Sequence, residues 1–328
     1  MNNMLNVSSS PHIRHEDTTS GIMLDVIIAL LPAAIAGCML FGLYAAAIIC
    51  TCVISAVLFE FLWNIILKKP QSVGDFSAVV TGLLLGMNLP PKTPLWVAAI
   101  GSFAAIIVVK QMFGGLGFNF VNPAIAARII LLVSFPQFLA GAKNYIEPLS
   151  HKVLGEPDTI TMATPLDAMK NAISSPDQLS IRELFLGSKA GSIGEVSAML
   201  LILGGLYLII RKVIKPIIPV AFIGTIAILT YLFKGFDFHT TIVYVLSGGL
   251  ILGAIFMATD YVTSPTTDIG KLIFGIGCGL ITFVIRQWGS LPEGVSYSII
   301  LMNILVPHIN RLTARKPFGL KGVKTDGK

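Results

Sequence analysis

Apolar residues along this chain gather in long runs separated by short polar punctuation. Ten runs approach the length of a membrane-crossing helix, about 20 residues. They cover roughly residues 22–41, 43–67, 76–90, 94–111, 119–139, 195–211, 217–234, 240–257, 269–286 and 295–310. Only Phe41-Gly42 separates the first two, which predicts a tight helical hairpin. The third and fifth are short. Gly82, Gly86, Pro90 and Pro91 interrupt one and Pro123 the other, so both predict broken helices.

Residues 140–194 depart from this pattern. Eleven charged side chains lie between Lys143 and Lys189. A polar stretch of that length inside a compact bundle is usually functional. It reads as an extramembrane insert between two halves. The expected organisation is an N-terminal segment 1–21, a first membrane half 22–139, the insert 140–194, a second half 195–310 and a basic tail 311–328.

Lysine and arginine orient the chain. With the N-terminus inside and the runs alternating, one side holds 14 of the 23 basic residues, among them Lys68, Lys69, Lys110, Arg211 and Lys212. The opposite short loops hold three: Lys92, Lys234 and Arg286. The positive-inside rule then places both termini in the cytoplasm and the insert outside.

Composition agrees. The 328 residues are 54% apolar and 12% charged, with mean hydropathy +0.82. A soluble domain carries about 25% charge, so a water-soluble enzyme is excluded. The net charge of +6 orients a membrane chain and does not point to nucleic acid. Cys38, Cys50, Cys52 and Cys278 all lie in apolar stretches without Cys-x-x-Cys spacing. They offer neither an iron–sulfur or zinc site nor a disulfide framework.

Five runs precede the insert and five follow it, so the halves would run in opposite senses. A short echo supports this. Thr81-Gly82-Leu83-Leu84-Leu85-Gly86 resembles Gly248-Gly249-Leu250-Ile251-Leu252-Gly253, and a proline-bearing turn follows each. Inverted repeats with broken helices are a transporter architecture; glycine-rich faces also recur by chance in bundles. Asn88-Leu89-Pro90-Pro91 and Ala258 to Pro265 occupy corresponding places. Each reads either as a surface loop or as a helix end inside the protein, where a ligand or an ion could sit.

Several residues carry candidate chemistry. Glu60 lies well inside the second run, and Arg128 lies inside the fifth. With Asp260 they are ion-path candidates, or else members of buried pairs. Asp25, Asp75 and Glu195 read as residues favouring helix N-termini. Lys110 to Gly117 is a glycine-rich turn, read as close packing or an anion nest. His12, His15, His151, His239 and His308 form no facing pair for haem, and no glycine-rich nucleotide fingerprint follows a strand. No metal site and no catalytic set belong to this chain alone. In the insert, Thr164, Pro165 and Asp167 have the spacing of a helix N-cap, first position and capping acid.

Longer motifs point further. Asp158-x-x-Thr161-x-Ala163-Thr164 resembles the acceptor site of the bacterial flavin transferase. Ser10 to Arg14, Asp75 to Pro91, Lys110 to Gly117, Asn122-Pro123-Ala124, Gly191 to Ser197 and Met257 to Pro265 resemble the NqrB/RnfD family, over about residues 8–315. The length is nearer the RnfD branch, because NqrB-type chains carry a longer N-terminal region. Met162 stands where the family usually has glycine. The resemblance implies an all-α polytopic fold of about ten transmembrane helices in two inverted five-helix repeats, urea-transporter-like. It implies FMN moved from FAD onto Thr164 as a phosphoester, and leaves room for riboflavin or a second noncovalent flavin. The acceptor hydroxyl is then expected to be exposed on a projecting turn.

The implied role is a membrane flavoprotein subunit of an Rnf-type complex in the cytoplasmic membrane. It would relay electrons between ferredoxin and NAD, coupled to Na+ or H+ movement. Its partners would be the other Rnf subunits, including a second covalent-FMN subunit, and the flavin transferase. Two alternatives stay open: an NqrB-like subunit of a sodium-pumping quinone reductase, and a urea-transporter-like solute channel without a redox role.

Overall fold

The computed structural model describes residues 18–146, 148, 164–170, 179–187, 189–195, 197–289 and 293–314. Every regular element among them is helical. Each of the ten apolar runs carries a helix. The first half holds α1 (Thr19–Phe41), α2 (Leu43–Ile66), α3 (Ser77–Met87), α4 (Leu95–Gln111) and α5 (Pro123–Ser134). Two short helices follow in the insert, α6 (Pro165–Lys170) and α7 (Ile181–Leu186). The second half holds α8 (Ala198–Ile210), α9 (Ile217–Phe233), α10 (Phe238–Leu246), α11 (Leu250–Met257), α12 (Asp268–Trp288) and α13 (Val295–Thr313).

Local chemistry sets the ends. Gly42, at φ 84°, turns α1 into α2 as the Phe41-Gly42 junction predicts. Side-chain oxygens of Thr18, Asn122, Ser197, Asp237 and Thr267 cap α1, α5, α8, α10 and α12. Asn122 also shows why the fifth run is short. Pro123 takes the first helical position, and Asn122 Oδ1 accepts from the amides of Ala124 (3.0 Å) and Ile125 (3.3 Å). Asp75 Oδ1 accepts the Ser77 amide at 2.8 Å, so its expected role at the start of α3 holds.

Asp25 and Glu195 take other roles. Asp25 lies inside α1, where it accepts from Tyr207 Oη (2.8 Å) and Arg211 (3.2 Å) of the α8 region. Glu195 precedes α8, whose cap is Ser197. Tertiary partners outcompete helix ends in both cases.

Three helices, α1, α2 and α12, are long and apolar enough to cross a bilayer. The α10–α11 pair, bent by 66°, makes a fourth if counted as one span. The remaining apolar helices among the described residues are shorter: Asn88 to Pro91 end α3, Pro136 follows α5, and α8 runs only from its Ser197 cap to Arg211. With this hydropathy and helix set the chain is a multi-pass membrane protein.

Close packing rests on small residues, as expected of helices that share lipid. A Cβ on Gly82 would lie 2.7 Å from the Cys52 carbonyl oxygen, which seats α3 on α2. Gly275 and Gly279 do the same for α12 on α9, against Ala221 and Thr225. One core runs through both halves. Two asparagines of the first half also hold Met257 of the second. Asn122 Nδ2 donates to its carbonyl (3.2 Å) and Asn88 Nδ2 to its sulfur (3.4 Å).

Residues 189–195 re-enter this core. The Ile193 amide donates to the Leu89 carbonyl (3.1 Å) and the Gly194 amide to that of Met87 (2.7 Å). The segment covers the buried stop at Asn88-Leu89-Pro90-Pro91. That stop is a helix end inside the protein.

Candidate functional site

Polar chemistry collects in three places. The first is a closed network near the start of α3. The last turns of α4, Ala104–Gln111, widen into π-helix, with the Met112 amide reaching the Ile107 carbonyl. Lys110 points inward there and is 2% exposed. Its Nζ donates to Glu60 Oε2 (2.8 Å) and Ser77 Oγ (2.6 Å). Ser72 Oγ donates to Glu60 Oε1 at 2.5 Å and accepts from Asn64 Nδ2 at 3.0 Å. Ser77 Oγ donates to Asp75. Glu60 therefore sits in a buried pair. Lys110 is a core residue, where charge placement alone makes it a loop cation; the other basic residues keep the bias. The turn that follows is opened by Gly114, Gly115 and Gly117, all at positive φ.

The second place is a cleft between the halves, beside that network. It spans about 770 Å³ including its open mouth. Ile22, Leu84 and Phe256 give apolar walls; Thr81, Asn119, Asn122 and Asp260 give polar ones. Asp260 accepts from Thr263 Oγ1 at 3.0 Å. Tyr261 Oη donates to the Val213 carbonyl, tying the cleft rim to the end of α8. So Thr259 to Val262, within the stretch from Ala258 to Pro265, line a cavity.

The third place lies at the opposite end of the bundle. Arg128 of α5 donates to Asn88 Oδ1 (3.0 Å), Ser296 Oγ (3.3 Å) and Glu293 Oε2 (2.5 Å). Its guanidinium is 3.8 Å from Glu195 Oε1. Close by, α10 stops at Ser247-Gly248-Gly249, where Gly248 has φ 69°. Arg286 of α12 donates to the Tyr244 (2.7 Å) and Ser247 (3.1 Å) carbonyls, and Lys189 Nζ to that of Leu246. Two cations thus cap one helix C-terminus. Burial pushes the Lys189 ammonium below its ordinary range; the carboxylate of Glu195 opposes the fall and the guanidinium of Arg286 adds to it.

Thr164 stands next to this cluster. It caps α6: its Oγ1 accepts the Asp167 amide (3.3 Å) and its carbonyl the Ala168 amide (2.8 Å). Thr164 is 5% exposed, and Pro165 and Leu166 are buried too. The expected projecting turn is a turn packed down, because α6 lays its apolar face on the bundle. Leu166 Cδ1 would lie 2.6 Å from a Cβ on Gly248. The motif's other members, Asp158, Thr161 and Ala163, lie outside the described residues.

The sequence reading misses Lys189, Arg286 and Glu293. Lys189 falls in a polar insert and Arg286 at a helix end, where cations need no explanation. The usable signal is Gly248-Gly249, a break whose bare carbonyls need donors.

The profile of the NQR2, RnfD, RnfE family matches residues 6–319. The chain is 49% identical over 326 residues to the D subunit of the Na(+)-translocating ferredoxin:NAD(+) oxidoreductase complex of Acetobacterium woodii, covering 99% of this chain and 98% of that one. It is 43% identical to the D subunit of the proton-translocating ferredoxin:NAD(+) oxidoreductase complex of Clostridium ljungdahlii, over 97% of each chain. It is 39% identical to the D subunit of the ion-translocating oxidoreductase complex of Stutzerimonas stutzeri, over 91% of each.

Proposed function

Since this chain belongs to the NQR2, RnfD, RnfE family, we propose that it is the D-type membrane subunit of an ion-translocating ferredoxin:NAD oxidoreductase, bearing FMN as a phosphoester on Thr164. Identity of 49% across nearly the whole chain carries this reading. Attachment joins the Thr164 oxygen to the FMN phosphorus of FAD; AMP leaves and takes the hydroxyl proton. Because Thr164 is buried, the transferase acts before α6 packs down. FMN supplies one- and two-electron chemistry. The chain's own residues bind, orient and tune it. Neighbouring buried groups fit a polar cofactor: Glu195 Oε1, Ser247 Oγ and Arg286 Nε have no hydrogen-bond partner among the described residues.

The architecture we propose is ten spans in two inverted five-helix repeats. The termini face the cytoplasm, and α6 and α7 lie outside the membrane that encloses it. The ten helix-bearing runs and the lysine and arginine bias support this. The insert then faces the side on which the flavin transferase works. The other members of the complex supply and accept the electrons. Of the three ion-path candidates, Asp260 lines the cleft, while Glu60 and Arg128 are ion-paired. The Acetobacterium and Clostridium relatives differ in their cation, Na+ in one and H+ in the other, so ion identity is read from neither.

The test is the intact mass of denatured protein co-expressed with a flavin transferase. Wild type should carry FMN less one water and Thr164→Val none. If neither carries it while the transferase labels another acceptor, the solute-channel reading moves ahead.

The cleft supports a second site. Its apolar walls with a few polar groups among them are the make-up of a ligand site. We propose that it takes a noncovalent flavin, with Asn119, Asn122, Thr81 and Asp260 on its polar walls. Denatured Thr164→Val protein should still release free flavin; release of none removes this second site.

A further inference from the structure

Among the described residues, the buried groups around the α10–α11 break are out of balance. Lys189, Arg286 and Arg128 face two carboxylates, Glu195 and Glu293. Lys189, Glu195 and Arg286 are 7%, 3% and 6% exposed. Asp167 of α6 acts on the same Tyr145 as Glu293, Arg128 and Glu195, and Lys170 of α6 brings the opposite charge beside it. An excess cation so buried is costly unless something negative meets it. The carbonyl end of α10 meets part of it, through Tyr244, Leu246 and Ser247. Yet Ser247 Oγ and Arg286 Nε have no hydrogen-bond partner among the described residues. The cluster is built to take one more polar partner carrying negative charge.

Such a partner has a place from which to come. Leu166, two residues beyond Thr164, packs on Gly248. A Cβ on Gly248 would also lie 3.2 Å from Arg286 Nη2. A group tethered at Thr164 is thereby held against the break that Lys189 and Arg286 cap. An electron delivered by a partner's carrier adds a negative charge to the isoalloxazine, and this is the charge the site lacks.

We propose that Lys189 and Arg286, fixed on the carbonyl end of α10, stabilise the reduced isoalloxazine of the Thr164 flavin by charge, with Glu195 opposing them. The inference rests on the attachment reading and adds the residues that set the cofactor's potential. They are tuning and positioning residues, not catalytic ones.

The experiment is spectroelectrochemical titration of the full-length, flavin-loaded protein, with Thr164→Val as background. Lys189→Met should lower the potential by a shift of about tenfold in the oxidised-to-reduced ratio, which is about 59 mV for one electron. Glu195→Gln should raise it by a similar factor, and Lys189→Arg should leave it in place. Opposite signs from opposite charges are something general loosening does not produce. Should Lys189→Met fail to fold, Glu195→Gln decides alone. An unmoved potential, or shifts of one sign, overturns the tuning role while attachment stands. A wild type without FMN on Thr164 overturns the attachment and the tuning together.

Discussion

Two buried charge networks sit at opposite ends of this bundle, and they are built differently. Around Glu60, a buried carboxylate meets a buried ammonium, and Ser72, Ser77 and Asn64 take up further positions, Ser77 passing the chain on to the half-buried Asp75. Around Arg128, three cations meet two carboxylates, and polar atoms are left over. The first network is closed: none of these buried side-chain atoms lacks a hydrogen-bond partner, as a core requires. The second is open among the described residues, and the charge of the proposed bound group fills it. A closed network can be judged from the chain alone, whereas an open one points to a ligand.

Substitutions can break that contrast. The largest effect should come from Lys110→Met, which strands Glu60 in the core; losing one partner of a buried pair costs about 3–5 kcal/mol. Adding Glu60→Gln should recover much of this, and the unfolding midpoints of the single and double variants in detergent would show it. Absence of any recovery would mean the pair is not a unit. Lys189→Met should cost less, about 1–3 kcal/mol, because it orphans the Leu246 carbonyl yet brings the cluster into balance. The same unfolding series ranks the two, and equal losses would erase the distinction. The smallest effect should be Arg211→Ala. Its pair with Asp25 has an arginine 58% exposed, so no more than about 1 kcal/mol is expected, and still less in high salt.

Much of the architecture is legible in the sequence. The ten helix-bearing runs stand out because lipid-facing chains show their helices as unbroken hydropathy. The break at Pro90-Pro91 is legible too, since proline acts locally; the one at Gly248-Gly249 is not read, because it falls inside the apolar run 240–257, which the structure splits into α10 and α11. The pairing of Lys110 with Glu60 is not. It depends on a π-helical turn that rotates Lys110 inward, and nothing in the pattern of apolar residues encodes that rotation. Thr164 shows both sides. Its capping role follows from Thr-Pro-x-Asp spacing, whereas its burial follows from where Leu166 finds a hole at Gly248. Lys189 and Arg286 are hidden for a similar reason. Their partners are carbonyls bared by a chain break far away in sequence.

Asn88 and Asn122 both grasp Met257 from the other half. Solute carriers often work by rocking one half against the other, and a clasp at the midline resists that motion. An electron relay makes the opposite demand, because hopping rates fall steeply when the gap between carriers drifts. The asparagine clasp therefore suits a chassis that keeps its spacing while charge moves through it, and leaves shape change to neighbours.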